Sequence, residues 1–300
     1  FSAQPSSPGN DTTPTWSWSE VSDANGYRRR LKIGSSWGAW SGWSTTITYT
    51  PTLSTNTTYI LEIQSKDSVG NTSDIRESTY ILDTSAPPAP IFSAQPSSPG
   101  NDTTPTWSWD EVSDPSGVFY RYGLWKNGSQ VGSWSSWGSS RSYTPSSLTE
   151  GTYQVKIQCK DGANNQSSIT TSSSYILDTT DPGVPRPNTN TPTNNNRPSW
   201  TWPKIADAVK YEVLFQNNVH ETIFEHFSID LNNNLPDGSH TIQVRAIDSA
   251  GNYSDYGSHT VVIDTIPLVG VPVPSTQTPT NDPTPTSVSY THLTLPTKQD

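Results

Sequence analysis

The chain of 300 residues has one cysteine, no methionine and no long apolar run. A single thiol, Cys159, excludes an intrachain disulfide framework. No stretch approaches the roughly 18 apolar residues that a membrane-crossing helix needs, so no membrane span is expected in this fragment. Basic charge is scarce. The 17 Lys and Arg face 27 Asp and Glu, for a net charge of −10. Nucleic-acid binders present a basic footprint, so this balance argues against a nucleic-acid partner. The one dense basic run, Arg28 to Arg30, falls inside a strand-like stretch. Apolar residues make up only 30%, too few for one large core, and no helical periodicity is present.

What is abundant divides into two groups. The 19 Gly and 26 Pro, with many Ser, Thr and Asn, would suit a disordered chain. The 12 Trp, 13 Tyr and 6 Phe would not. Small β domains reconcile the two, because each has a thin core, polar turns and aromatic anchors.

Internal repetition organises the chain. Phe1 to Trp18 reads FSAQPSSPGNDTTPTWSW, and Phe92 to Trp109 repeats it residue for residue. A diverged copy, TPTNNNRPSWTW, ends at Trp202, and a further one starts at TPTNDPTPT, 278 to 286. YILEIQSKD (59–67), YQVKIQCKD (153–161) and HTIQVRAID (240–248) have equal length, and the turns SVGNTS, GANNQS and SAGNYS follow them. Period-two alternation directs Tyr59, Leu61, Ile63 and Ser65 to one face. It does the same for Tyr153, Val155, Ile157 and Cys159, and for His240, Ile242, Val244 and Ala246. Ser65, Cys159 and Ala246 share a register that asks for a small residue, so Cys159 reads as an inert core thiol. The pairs Trp16/Trp18, Trp107/Trp109 and Trp200/Trp202 are expected in the core. Arg29 falls in an inward register, which requires a bulge or stacking on an aromatic ring.

The fold class is all-β: tandem Ig-like or fibronectin III-like antiparallel β-sandwiches joined by short Pro-rich linkers, SAPPAP and TDPGVPRP. The expected divisions are 1–85, 86–180 and 181–266 for three units. The first is read as N-terminally truncated and the third as diverged. Residues 267–286 read as the start of a fourth, and 287–300 as a non-native tail resembling translated sequencing-adaptor read-through.

NDTTPTWSW, Y-R-Y, W-S-x-W, Y-T-P, T-Y-x-V, D-x-x-G-N-x-S and D-T-x-A-P-x-x-P together resemble a bacterial Ig-like tandem repeat family. The resemblance covers roughly residues 1 to 286. It implies modules of large surface or secreted bacterial proteins, some of them adhesins and some spacers in glycan-degrading enzymes.

Four motifs bear on chemistry. Trp40 to Ser44 spells W-S-x-W-S, and Trp134 to Gly138 is a variant. Its indoles can cover a sheet edge and stack on Arg or Tyr. Alternatively Trp37, Trp40, Trp43, Trp134 and Trp137 could contact a glycan or a neighbouring or host surface protein. Gly34-Ser35-Ser36-Trp37-Gly38 fits G-x-S-x-G but lacks the strand–turn–helix context of a nucleophile elbow. His220 to His226 fits neither zinc-protease pattern and reads as one strand. Asp67, Asp83, Asp161, Asp178, Asp248 and Asp264 recur near unit ends, where they serve turns or, alternatively, calcium. No other cofactor is implied, and no specific oligomer. No catalytic residue is expected. The reading is a non-catalytic spacer, extracellular or on a cell surface, with adhesion as an added role. The alternative is a glycan-binding or accessory module of a secreted carbohydrate-active enzyme.

Overall fold

The computed structural model describes residues 1–229 and 233–268. The tail 287–300 and the expected fourth repeat beyond residue 268 lie outside them. Every element among the described residues is a strand, and all strand pairs within the sheets are antiparallel.

Three sandwiches follow one another, each with its own buried cluster. In the first, Ser36–Trp37, Gly26–Ile33, Thr58–Lys66 and Arg76–Ile81 form one sheet in that order. Facing it, Trp16–Ser17 pairs with Thr48–Tyr49, and Ala3 bridges Ser17. The second places Ser129–Val131, Val118–Lys126 and Gly151–Asp161 side by side, with Thr170–Thr171 and Tyr175–Leu177 sharing the outer edge. Its opposing sheet is Ser142–Tyr143, Trp107–Trp109 and Phe92–Ala94. The third orders Asn218–Thr222, Ala208–Phe215, Gly238–Asp248 and Gly257–Ile263, opposite Ser199–Thr201 with His226–Ser228.

The alternation explains the packing. Tyr59, Leu61 and Ile63 are buried, as are Tyr153, Val155, Ile157 and Cys159, and Ile242, Val244 and Ala246. All six indoles of the W-x-W pairs are at most 5% exposed. Burying each side chain of Leu or Val size contributes about 1.5–3 kcal/mol against the conformational entropy of ordering a short chain. His240 departs from the expected inward row. It is half-buried, and its Nε2 meets the Pro236 carbonyl oxygen at 2.8 Å. Tyr59 and Tyr153 make the same four-residue loop, donating to the carbonyls of Thr55 and Thr149. A tyrosine corner of this kind is a mark of Ig-type sandwiches.

Arg29 keeps its inward register without a bulge, and its guanidinium lies over the Tyr49 ring at 4.4 Å. The segment from His220 to His226 is not one strand. Asn218–Thr222 ends before a bend, and His226–Ser228 belongs to the other sheet.

Candidate functional site

Two arrangements recur at matching places. The first is the turn that leaves each long central strand. Asp67 Oδ1 accepts the backbone N–H groups of Val69, Gly70 and Asn71, and Oδ2 accepts from Asn71 Nδ2 at 2.8 Å. The Asn71 amide, ahead of the backbone donors, holds the Asp67 carboxyl below its ordinary value. Asp161 with Asn165, and Asp248 with Asn252, repeat the clasp. The residue before each Asn has positive φ: Gly70, Asn164 and Gly251. Glycine adopts that conformation freely and asparagine tolerates it.

In the second and third units this turn also grips the preceding unit. Asn165 Nδ2 donates to the Asp83 carbonyl at 2.8 Å, and Asn252 Nδ2 donates to the Asp178 carbonyl at 2.9 Å. Each of those aspartates is itself held, through its N–H, by Gly9 or Gly100. The linker prolines Pro87 and Pro90, then Pro182, Pro185 and Pro187, are buried. The Cys159 thiol donates to the Pro88 carbonyl at 3.3 Å, and burial pushes the thiol pKa up, which keeps it in the unreactive form.

The aspartates expected near unit ends are distributed unevenly. Carboxylate oxygens of Asp83, Asp114 and Asp161 lie within 4.8 Å of one another at the first junction, the one such convergence among the described residues. Asp114 was not anticipated from the sequence. Its loop follows the W-x-W strand and reaches the same end of the sandwich as the Asp161 turn, with Ser116 Oγ donating to Asp114 Oδ1 at 2.6 Å. Asp178 and Asp248 are joined only through Asn252. Asp264 ends the third unit, its N–H on the Thr193 carbonyl, and Asp67 sits apart in the first. Calcium takes six to eight oxygens. The first junction offers three carboxylates toward that number, and both Asp161 oxygens already accept from Asn165.

The second arrangement is a cation–aromatic ladder on the outer face of the large sheet. Arg28 lies over Trp40 and Trp43 at 4.5 and 4.9 Å. Arg30 lies over Trp37 and Trp40 at 4.3 and 4.6 Å. Lys32 and Lys66 extend the ends over Trp37 and Trp43. Arg28 Nε and Nη2 both donate to Gln64 Oε1, and Arg30 pairs with buried Glu62. Ser41 fixes the hairpin: its Oγ accepts the Arg29 N–H at 3.0 Å, and its own N–H donates to the Arg29 carbonyl.

Unit two keeps the design. Arg121 lies over Trp134 and Trp137 and bonds Gln158, while Ser135 repeats the role of Ser41. Where unit one has Arg30, unit two has Gly123. Trp125 folds over that glycine, its ring only 2.9 Å from where a Cβ would sit. Each of the five candidate tryptophans thus has two cationic or aromatic neighbours, and Trp37, at 39%, is the most exposed.

Unit three lacks the Trp-rich segment, carrying a plain hairpin of Ala208–Phe215 with Asn218–Thr222 at this edge, and swaps the charges. Glu212 takes the register of Arg28, and Arg245 that of Gln64. Arg245 then stacks on Tyr253 and Tyr256 at 4.1 and 4.9 Å. Its hydrogen bond, with help from Tyr256, holds the Glu212 carboxyl below its usual range despite burial.

Gly34 to Gly38 is a hairpin between Gly26–Ile33 and Ser36–Trp37, so no nucleophile elbow forms.

The fold and its repeated junctions define a tandem array of Ig-like sandwiches. The bacterial Ig-like domain family matches residues 176–265, which span unit three and its leading linker. Among solved structures, the FN1–FN3 domains of chicken CNTN1 are similar at 15% identity and a TM-score of 0.39, over 85% of this chain and 95% of that one. No curated protein matches. No helix among the described residues is long and apolar enough to cross a membrane.

Proposed function

We propose that the chain is a non-catalytic spacer array of an extracellular bacterial protein, secreted or on the cell surface, divided near 85 and 180 into successive modules. The observation that carries this reading is the repeated grip of Asn165 and Asn252 on the preceding unit's aspartate carbonyl. A neutral hydrogen bond of this kind contributes about 0.5–1.5 kcal/mol, enough to bias one orientation when the linker is also a short, proline-rich segment anchored by buried prolines such as Pro87 and Pro185. The mechanism is geometric: stiff joints between folded units fix reach. Small-angle scattering tests it. An extended particle whose maximum dimension contracts when Asn165 and Asn252 are both changed to Ala supports the reading. A compact or equally pliable native chain opposes it.

Two finer roles have observations in their favour. The converging carboxylates of Asp83, Asp114 and Asp161 suit calcium at the first junction. Chelation should then lower the melting midpoint, and an unchanged midpoint removes calcium from the account. The exposed side of Trp37 and its neighbours suits adhesion to a glycan or a surface protein. Because the rings already engage cations, that role is secondary. Glycan-array binding that disappears when Trp37, Trp40 and Trp43 become Ala would establish it, and no binding by the intact chain would leave spacing alone.

A further inference from the structure

In units two and three the incoming linker fills a seat on the sandwich it leads into. Pro87 and Pro90 are buried there, the Pro88 carbonyl receives the Cys159 thiol, and Asn165 holds Asp83. Pro182 and Pro185 repeat this one unit later. The Pro185 carbonyl passes so near Gly257 that a Cβ would stand 1.7 Å from it, and Asn252 holds Asp178. Both linkers read D-T-x-x-P-x-x-P.

At the matching place on unit one lies an open groove of about 370 Å³, bounded by Phe1, Trp18, Tyr27, Ile63, Ser65 and Arg76. Ser65 shares the register of Cys159 and Ala246. Those two are fully buried, and Ser65 is only half-buried. Asp161 and Asp248 are 1% and 6% exposed, while Asp67 is half-exposed. The Asn71 amide nevertheless clasps Asp67 in the geometry of the other two turns. Arg76 stands where unit two has Thr170 and unit three has Gly257, and Thr170 coexists with a seated linker.

We propose that this groove is a docking seat for an extended segment of the form D-T-x-x-P-x-x-P, the kind that leaves the last strand of another sandwich of this type. The prolines would cover Ile63 and Trp18, and the aspartate carbonyl would accept the second Asn71 amide hydrogen. This rests on reading the junctions as built contacts.

The test appends a copy of residues 80–91 directly before Phe1, so that the copied Ile91 leads into Phe1 as it does into Phe92. Ser65→Cys, made together with Cys159→Ala, reports on the seat. Both changes borrow residues that the other units already carry at this register. Without the segment, the thiol at position 65 should react with an aromatic disulfide reagent at least tenfold faster than Cys159 does in the unaltered chain. With the segment attached it should slow at least tenfold. Changing the copied Pro87 and Pro90 to Asp should restore the fast rate. Equal rates with and without the segment overturn the proposal, as does a thiol at 65 that is already as slow as Cys159. Protection alongside pliable native joints would leave the seat standing and remove the spacer; rigid joints without protection would do the reverse.

Discussion

At the scale of single residues, Arg28 shows how a basic residue can hold a β-hairpin to a sheet. Its planar guanidinium stacks on two indoles while its edge forks onto Gln64. Partly exposed cation–π contacts contribute about 0.5–1 kcal/mol each. Arg28→Ala should therefore lower the stability of unit one by about 1–2 kcal/mol in denaturant titration. Arg28→Lys should recover only part, because an ammonium cannot fork and stack at once. Glu212 gives a pH signature. Its folded carboxyl is held below the ordinary glutamate value, first by Arg245. Its contribution is thus complete above about pH 4.3, the unfolded value, and is lost as pH falls through the depressed folded one. Glu212→Gln should flatten the acid limb of the stability of unit three, and an unchanged limb would place the acid sensitivity elsewhere. Stacking on Arg was legible in the W-S-x-W spacing, and so was the need for Arg29 to find a ring. The transfer of the cation from Arg28 to Arg245 was not, because its new partners Tyr253 and Tyr256 come from a different loop.

At the scale of elements, the long central strands were the most readable part of the sequence. Their alternation named Val155, Ile157, Cys159, Ile242, Val244 and Ala246 as core, and all are buried. His240 holds the place of Tyr59 and Tyr153 and bonds a local carbonyl as they do, yet its smaller ring is only half-buried. Asp114 escaped because only tertiary folding brings its loop against the Asp161 turn. The strand Gly151–Asp161 joins no sheet outside its own sandwich. Ile157→Ala, which opens a cavity in a fully buried position, should cost about 2–5 kcal/mol. The loss should fall on the unfolding of unit two and leave the transitions of units one and three in place, as resolved by calorimetry or by hydrogen exchange of the separate strands.

At the scale of the whole molecule, three clusters without shared core residues are connected by joints of one design. The repeat of the sequence made the number of units readable. It did not reveal that the asparagines of the second and third D-x-x-x-N turns, Asn165 and Asn252, reach back across the joint, since the same residues also serve their own turns. The most direct check is a distance distribution between spin labels at Ile33 and Val131, exposed positions in units one and two. A single narrow distance that broadens on Asn165→Ala is the result expected of a clasped joint. A native distribution as wide as that of the variant would contradict the account.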